Sequence, residues 1–231
     1  MPSSRPRDTR PRGLSSKGPL PGPPDPVSLA PLLVVWERGK SILRCHDVRF
    51  GASEFNPGVG RGRFHPLRDL DGRPVPTLYA ADNPEGAFSE TIFHEMPVRG
   101  PEKILRRLSL VPTVLSTLAA TRDLTLAQLH GYGLSRIGVT RSELIEVGSE
   151  HYGETAAWAR ALHACDGRDG RIDGLVWVSR QHDDAYALVL FGDRVARRDL
   201  VVVEPPLPLY QGPGYLAVQS AAERAGITII E

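Results

Sequence analysis

Apolar runs and the turn residues between them divide the chain into strand-like and helix-like stretches. Leu29 to Trp36 is apolar and passes through Glu37-Arg38-Gly39-Lys40 into Ser41-Ile42-Leu43-Arg44-Cys45, which predicts a first strand. From Val48 to Val75 the chain is dense in Gly, Pro and charge, with turn signals at Asn56-Pro57-Gly58 and Asp71-Gly72-Arg73-Pro74. A long loop is expected there, and loops carry binding groups more often than cores do. Thr77 to Ala81 reads as a short strand. Asn83-Pro84-Glu85 then supplies a cap, a proline at the first helical position and an acid in the first turn, predicting a helix from Pro84 to about Met96. On that helix Phe88, Ile92 and Met96 share one face, widened by Ala87 and Phe93. Glu90 points nearly opposite, beside His94, and is expected outside the core.

Lys103 to Val111 and Val114 to Ala119 read as two further strands, with Asp123-Leu124-Thr125-Leu126 as a tight connector after the second. Leu134 to Glu146 is poorly patterned. Gly153 to Cys165 places Ala156, Ala157, Trp158, Ala161 and Leu162 at helical spacing and predicts a helix. Apolar runs follow at Gly174 to Val178, Ala185 to Phe191 and Leu200 to Val203, then a helix near Tyr215 to Ala225 and a strand from Ile227 to Ile230. Clustered strands without a regular βαβ alternation indicate an α+β fold, a compact mixed β core with flanking helices. The 231 residues suit one domain. Residues 1–27 are rich in Pro, Ser, Gly and Arg and poor in large apolar groups, so they are expected to form a disordered tail before a single domain over residues 28–231.

With 28 Lys and Arg against 27 Asp and Glu, the charge balance is too even to make nucleic acid the main partner, and attraction to a phosphate-rich ligand has to be local. Cys45 and Cys165 stand alone and far apart, which reads as two free thiols in a reducing compartment. No apolar run is long enough to span a membrane and no signal pattern opens the chain, so a cytoplasmic protein is expected. The histidines show no metal-ligand spacing, and no metal is expected. Gly58-Val59-Gly60-Arg61-Gly62 follows a loop rather than a strand, unlike a nucleotide-binding fingerprint, and Ser179 sits in no Gly-x-Ser-x-Gly elbow.

The stretch Asp173-Gly174-Leu175-Val176-Trp177-Val178-Ser179-Arg180 is an apolar strand ending in a hydroxyl and a guanidinium. Upstream lie Arg44, then Gly62-Arg63-Phe64-His65, Leu78-Tyr79-Ala80-Ala81 and Phe88-Ser89-Glu90-Thr91. Taken singly these are an ordinary surface arginine, a half-buried tyrosine, a solvated helix carboxylate and a strand-end serine. In this order and spacing, over roughly Ser41 to Phe191, the chain resembles the RES-domain family. The resemblance implies a fold like that of ADP-ribosyltransferases, with a split NAD+ cleft, and an NAD+-degrading activity by phosphorolysis or hydrolysis. It also implies the toxin role of a toxin–antitoxin pair, hence an antitoxin partner. Its residue assignments make Arg63, Glu90 and Ser179 catalytic, with Ser179 positioning the nicotinamide ribose, and make Arg44 and Tyr79 substrate-binding. Both arginines would face the diphosphate or the incoming phosphate, and Tyr79 would lie beside nicotinamide. NAD+ is then a substrate and inorganic phosphate a co-substrate, with no resident cofactor; a homo-oligomer is compatible with the chain. The sequence departs from the family pattern in a longer segment from Pro66 to Pro76, in His65 where Asn is common, and in Trp177-Val178 for a Tyr-Pro pair.

These residue types suit that chemistry. Nicotinamide in NAD+ is already cationic and leaves without an acid, while positive charge grows on the ribose as in glycoside cleavage. Arginines grip phosphate in a bidentate way and stay charged, a tyrosine stacks on a flat ring, and a carboxylate stabilises the growing charge. Two other readings stay open: an ADP-ribosyltransferase modifying a protein or nucleic acid, and a non-enzymatic module whose charged pocket binds a nucleotide and leaves it intact.

Overall fold

The computed structural model describes residues 20–94, 96, 103–165 and 171–231. Along the chain the elements run β1 (Leu33–Trp36), β2 (Ser41–Asp47), β3 (Leu67–Arg68), β4 (Pro74–Val75), β5 (Thr77–Ala81), α1 (Pro84–Thr91), β6 (Ile104–Arg106), β7 (Thr113–Ala120) and β8 (Leu124–Gln128). They continue as α2 (Tyr132–Ile137), α3 (Arg141–Leu144), α4 (Tyr152–Ala164), β9 (Gly174–Val178), β10 (Tyr186–Phe191), β11 (Leu200–Val202), β12 (Leu207–Pro208), α5 (Gly212–Arg224) and β13 (Thr228–Ile230). A nine-stranded sheet has the order β1-β8-β9-β10-β5-β2-β7-β11, with β12 also on β7. Its pairs are antiparallel except β8 with β9. The fold is α+β, as the strand clustering implied.

Side chains alternate across this sheet and give it two apolar faces. On one face, Leu43, Cys45 and Ala81 pack with Ala87 and Phe88 of α1 and with Val218 and Ala221 of α5. The same face continues through Leu175, Trp177, Val189 and Phe191, covered by Trp158 and Leu162 of α4. The opposite face gathers Ile42, Leu78, Leu118, Leu126, Leu188 and Leu190 without any residue of the five helices found among the described residues. The sheet curls over that face as a half-barrel, and the β2–β7 and β7–β11 ladders are prolonged by Gly39 N donating to Ala120 O (2.9 Å) and Thr121 N donating to Asp199 O (2.9 Å).

Four elements differ from expectation. α1 stops at Thr91 instead of reaching Met96. Gln181 Nε2 donates to the carbonyls of Phe93, His94 and Met96 at 3.0, 3.0 and 3.2 Å, supplying to this turn the donor that a continued helix would have provided. The expected strand Lys103 to Val111 is the three-residue β6 followed by a 3-10 turn, Arg107–Leu110. Leu105 and Leu110 both enter the α1–α5 core, yet five residues apart they would point to opposite faces of a straight strand. Asp123 to Leu126, expected as a connector, begins β8, whose Leu124 and Leu126 line the interior of the half-barrel. The poorly patterned Leu134 to Glu146 holds α2 and α3, the latter opened by a reciprocal cap between Thr140 and Glu143.

Residues 1–19 of the expected tail lie outside the described residues. Of the remainder, Leu20 joins the core cluster of Trp158, and Trp158 Nε1 donates to Pro21 O at 2.8 Å, while Val27 is exposed.

Candidate active site

α1 and the end of β9 meet because α1 lies unusually close to the sheet. A Cβ on Gly86 would stand 2.7 Å from the Ala185 Cβ and 2.9 Å from the Ala81 Cβ, so any larger residue would lift the helix. One turn later, Glu90 faces the strand end. Ser179 Oγ donates to Glu90 Oε1 at 2.7 Å and Arg180 N donates to the same oxygen at 3.3 Å. β9 is itself pinned at its start. Asp173 receives two hydrogen bonds from Arg122, each 2.8 Å, and one from Thr125 N at 3.0 Å. Ser179 is fully buried, so its hydroxyl orients the carboxylate rather than reaching a ligand.

Arg63 enters the same pocket from the long loop. It is 2 % exposed. Nη1 reaches Val147 O at 3.4 Å, while Nε and Nη2 are enclosed and have no hydrogen-bond partner among the described residues. Its main chain is fixed by Thr155 of α4, whose Oγ1 donates to Arg63 O. Burial pulls the Arg63 guanidinium below its usual range, and Glu90 is the foremost charge opposing this, followed by Tyr152 and Tyr79; Arg180 pushes the other way. These groups therefore share one electrostatic neighbourhood. Arg180 Nη1 also donates to Val147 O, at 3.3 Å, so two guanidinium groups converge on one carbonyl opposite a carboxylate. Such a grouping suits an anion with a positively charged neighbour.

Tyr79 on β5 points to the helix-covered face, with its ring edge-on to Trp177 and its Oη accepting from Phe64 N at 2.8 Å. Burial raises its pKa, so the phenol keeps its proton. Sequence reasoning left three further contributors without a role. Tyr152, at the start of α4, places its ring 5.8 Å from the Arg63 guanidinium and its Oη 2.6 Å from His94 Nε2. Val147 contributes only a carbonyl, which no side-chain pattern announces. Arg180 stood in the stretch that drew attention, and its position directly after Ser179 was the available signal.

Arg44 is placed elsewhere. Its neighbours Leu43 and Cys45 point to α1, so by strand alternation Arg44 points to the opposite face of the sheet, together with Ile42. There Nη1 donates to Ala52 O (2.9 Å) and Glu54 O (2.7 Å), and burial lowers its pKa to about 10. It braces the start of the long loop from behind. The expectation that it faces the diphosphate beside Arg63 is thus corrected by its position, while Arg63, Tyr79, Glu90 and Ser179 do come together. No cluster of three or more metal-ligating side chains occurs among the described residues. No helix among them is long and apolar enough to cross a membrane.

No curated relative matches the chain in sequence. Among solved structures, a chain of the M. tuberculosis MbcT–MbcA toxin–antitoxin complex matches with a TM-score of 0.52 at 16 % identity, covering 78 % of this chain and 92 % of that one. At that identity the likeness is one of fold. The model of the RES domain matches residues 41–210, which takes in every residue of the pocket, and on that match the chain belongs to the RES-domain family.

Proposed function

We propose that the pocket cleaves the nicotinamide–ribose bond of NAD+, and that the protein is the toxin of a toxin–antitoxin pair. The observation that carries the reading is the buried Arg63 guanidinium with two unpartnered nitrogens beside a carboxylate held by Ser179. A buried donor without a partner costs about 1–3 kcal/mol, a cost that a ligand's phosphate oxygen would offset. Arg63 and Arg180 would hold the diphosphate from its nicotinamide side. Glu90 would face the ribose and stabilise its positive charge as the bond to nicotinamide breaks. The bonding electrons leave with the nicotinamide nitrogen, which becomes neutral. An oxygen of phosphate or water then bonds to the ribose carbon, water losing its proton. Ser179 keeps Glu90 fixed in position, and Tyr79 offers a protonated phenol beside the ring. Family membership supports NAD+ chemistry, and the fold neighbour's toxin–antitoxin complex supports an antitoxin partner.

The test incubates the purified protein with NAD+, with and without phosphate, and identifies products by mass spectrometry. Free nicotinamide with ADP-ribose phosphate or ADP-ribose is expected. Arg63→Ala and Glu90→Ala should each lower release at least about 100-fold while remaining folded. Full turnover by Glu90→Ala would remove the mechanism, and label retained on a macromolecule would indicate ADP-ribosyl transfer instead.

A further inference from the structure

We infer that a cleft next to the pocket takes the adenylate half of the dinucleotide, with Arg61 on its phosphate; this rests on NAD+ being the substrate. The cleft measures about 350 Å³ and is lined by Arg61, Ser149, Glu150 and Tyr152. Tyr152 belongs to both spaces, since its ring also meets the Arg63 guanidinium at 5.8 Å. A ligand longer than one nucleotide that starts between Glu90 and Arg63 would pass Tyr152 and enter this cleft.

The charges of the cleft fit such a ligand. Arg61 is exposed and makes no hydrogen bond or ion pair among the described residues. Besides Arg63 in the pocket, the other arginines of the long loop are committed: Arg49 pairs with Asp47 at 2.7 Å, Arg68 donates to Gly72 O at 2.8 Å, and Arg73 pairs with Asp71 at 2.8 Å. Arg44 lies behind the sheet. Arg61 is therefore the loop cation left to bind an anion outside the buried pocket. The Ser149 hydroxyl and the Glu150 carboxylate, which line the same cleft, present one group able to donate and several able to accept, which matches the hydroxyls of a ribose. Glu150 is held near the backbone, where a Cβ on Gly148 would stand 2.3 Å from its Oε2. A cation for an anion and partners for hydroxyls in one cleft fit a nucleoside monophosphate.

Nicotinamide mononucleotide carries the scissile bond but lacks the adenylate half, so it separates this subsite from the catalytic pocket. Nicotinamide release from both substrates would be measured for the natural protein, Arg61→Ala and Arg61→Glu. For NAD+, Arg61→Ala should raise KM about tenfold, the loss of one exposed charge-assisted contact, with kcat within about twofold. Charge reversal should raise KM further. For the mononucleotide neither variant should change KM, and the thermal midpoint should stay that of the natural protein. An unchanged KM for NAD+, an equal rise for both substrates, or a rise in the KM of phosphate alone would overturn the assignment and leave the activity standing. No nicotinamide from either substrate with the natural protein would remove the activity itself, and this subsite with it.

Discussion

Ser179 acts here through Glu90. Its hydroxyl is fully buried and spends its proton on the carboxylate at 2.7 Å, so its removal should loosen the acid without emptying the pocket. A hydrogen bond to a charged group contributes about 1.5–3 kcal/mol, so Ser179→Ala should lower kcat for nicotinamide release by roughly 10- to 100-fold with little change in KM. A variant with unaltered kcat would show that Glu90 is positioned by other means. Glu90, Arg63, Tyr79 and Ser179 were singled out by the order and spacing of short motifs; of these, Glu90 stands about two turns past its helix cap and Ser179 directly after an apolar strand. Arg44 was misplaced although the clue was local: apolar residues on both sides of it in a strand already assign it to the other face. Tyr152 and the Val147 carbonyl meet Arg63 across long stretches of chain, a proximity that no periodicity encodes.

The elements were legible where burial on one face imposed a period and illegible where a distant partner decided the outcome. α4 shows the first case. α1 shows the second, because a glutamine far along the chain takes over the carbonyls beyond Thr91. β8 is a third kind: it lies inside the sheet between β1 and β9, so its Leu124 and Leu126 are enclosed although its flanks read as a connector. Its register with β9 depends on Asp173, which is 7 % exposed in its side chain and is bonded to Arg122 and to Thr125 N. Asp173→Ala should cost about 2–3 kcal/mol, tempered by the partial exposure of Arg122, and lower the urea midpoint by a matching amount. A midpoint equal to that of the natural protein would mean that the sheet holds β8 without this contact.

Taken as one body, the protein combines a half-barrel and its helical cover with the buried histidines His46 and His65 and the half-buried His130. Burial is the first cause that lowers the pKa of His46, His65 and His130, and Arg44 and Arg141 add to it for the first and last. The unfolded chain therefore binds protons at these residues first, so stability rises with pH through this window. It should be level above the unfolded value of about 6.5 and fall as pH drops below it. Thermal unfolding followed at pH 7.5 and pH 5.5 should give a lower midpoint at the acidic value, and equal midpoints would contradict the sign.

The contact between Trp158 and Pro21 has a reach beyond packing. α4 is a single stiff rod, and less than two turns before that indole it presents Thr155 to the Arg63 backbone and Tyr152 to its guanidinium. The segment just before the first strand thus works as a guy-line on the rod that steadies the pocket wall. Severing the chain at residue 28 would slacken that wall from a point remote in sequence from every group that touches substrate.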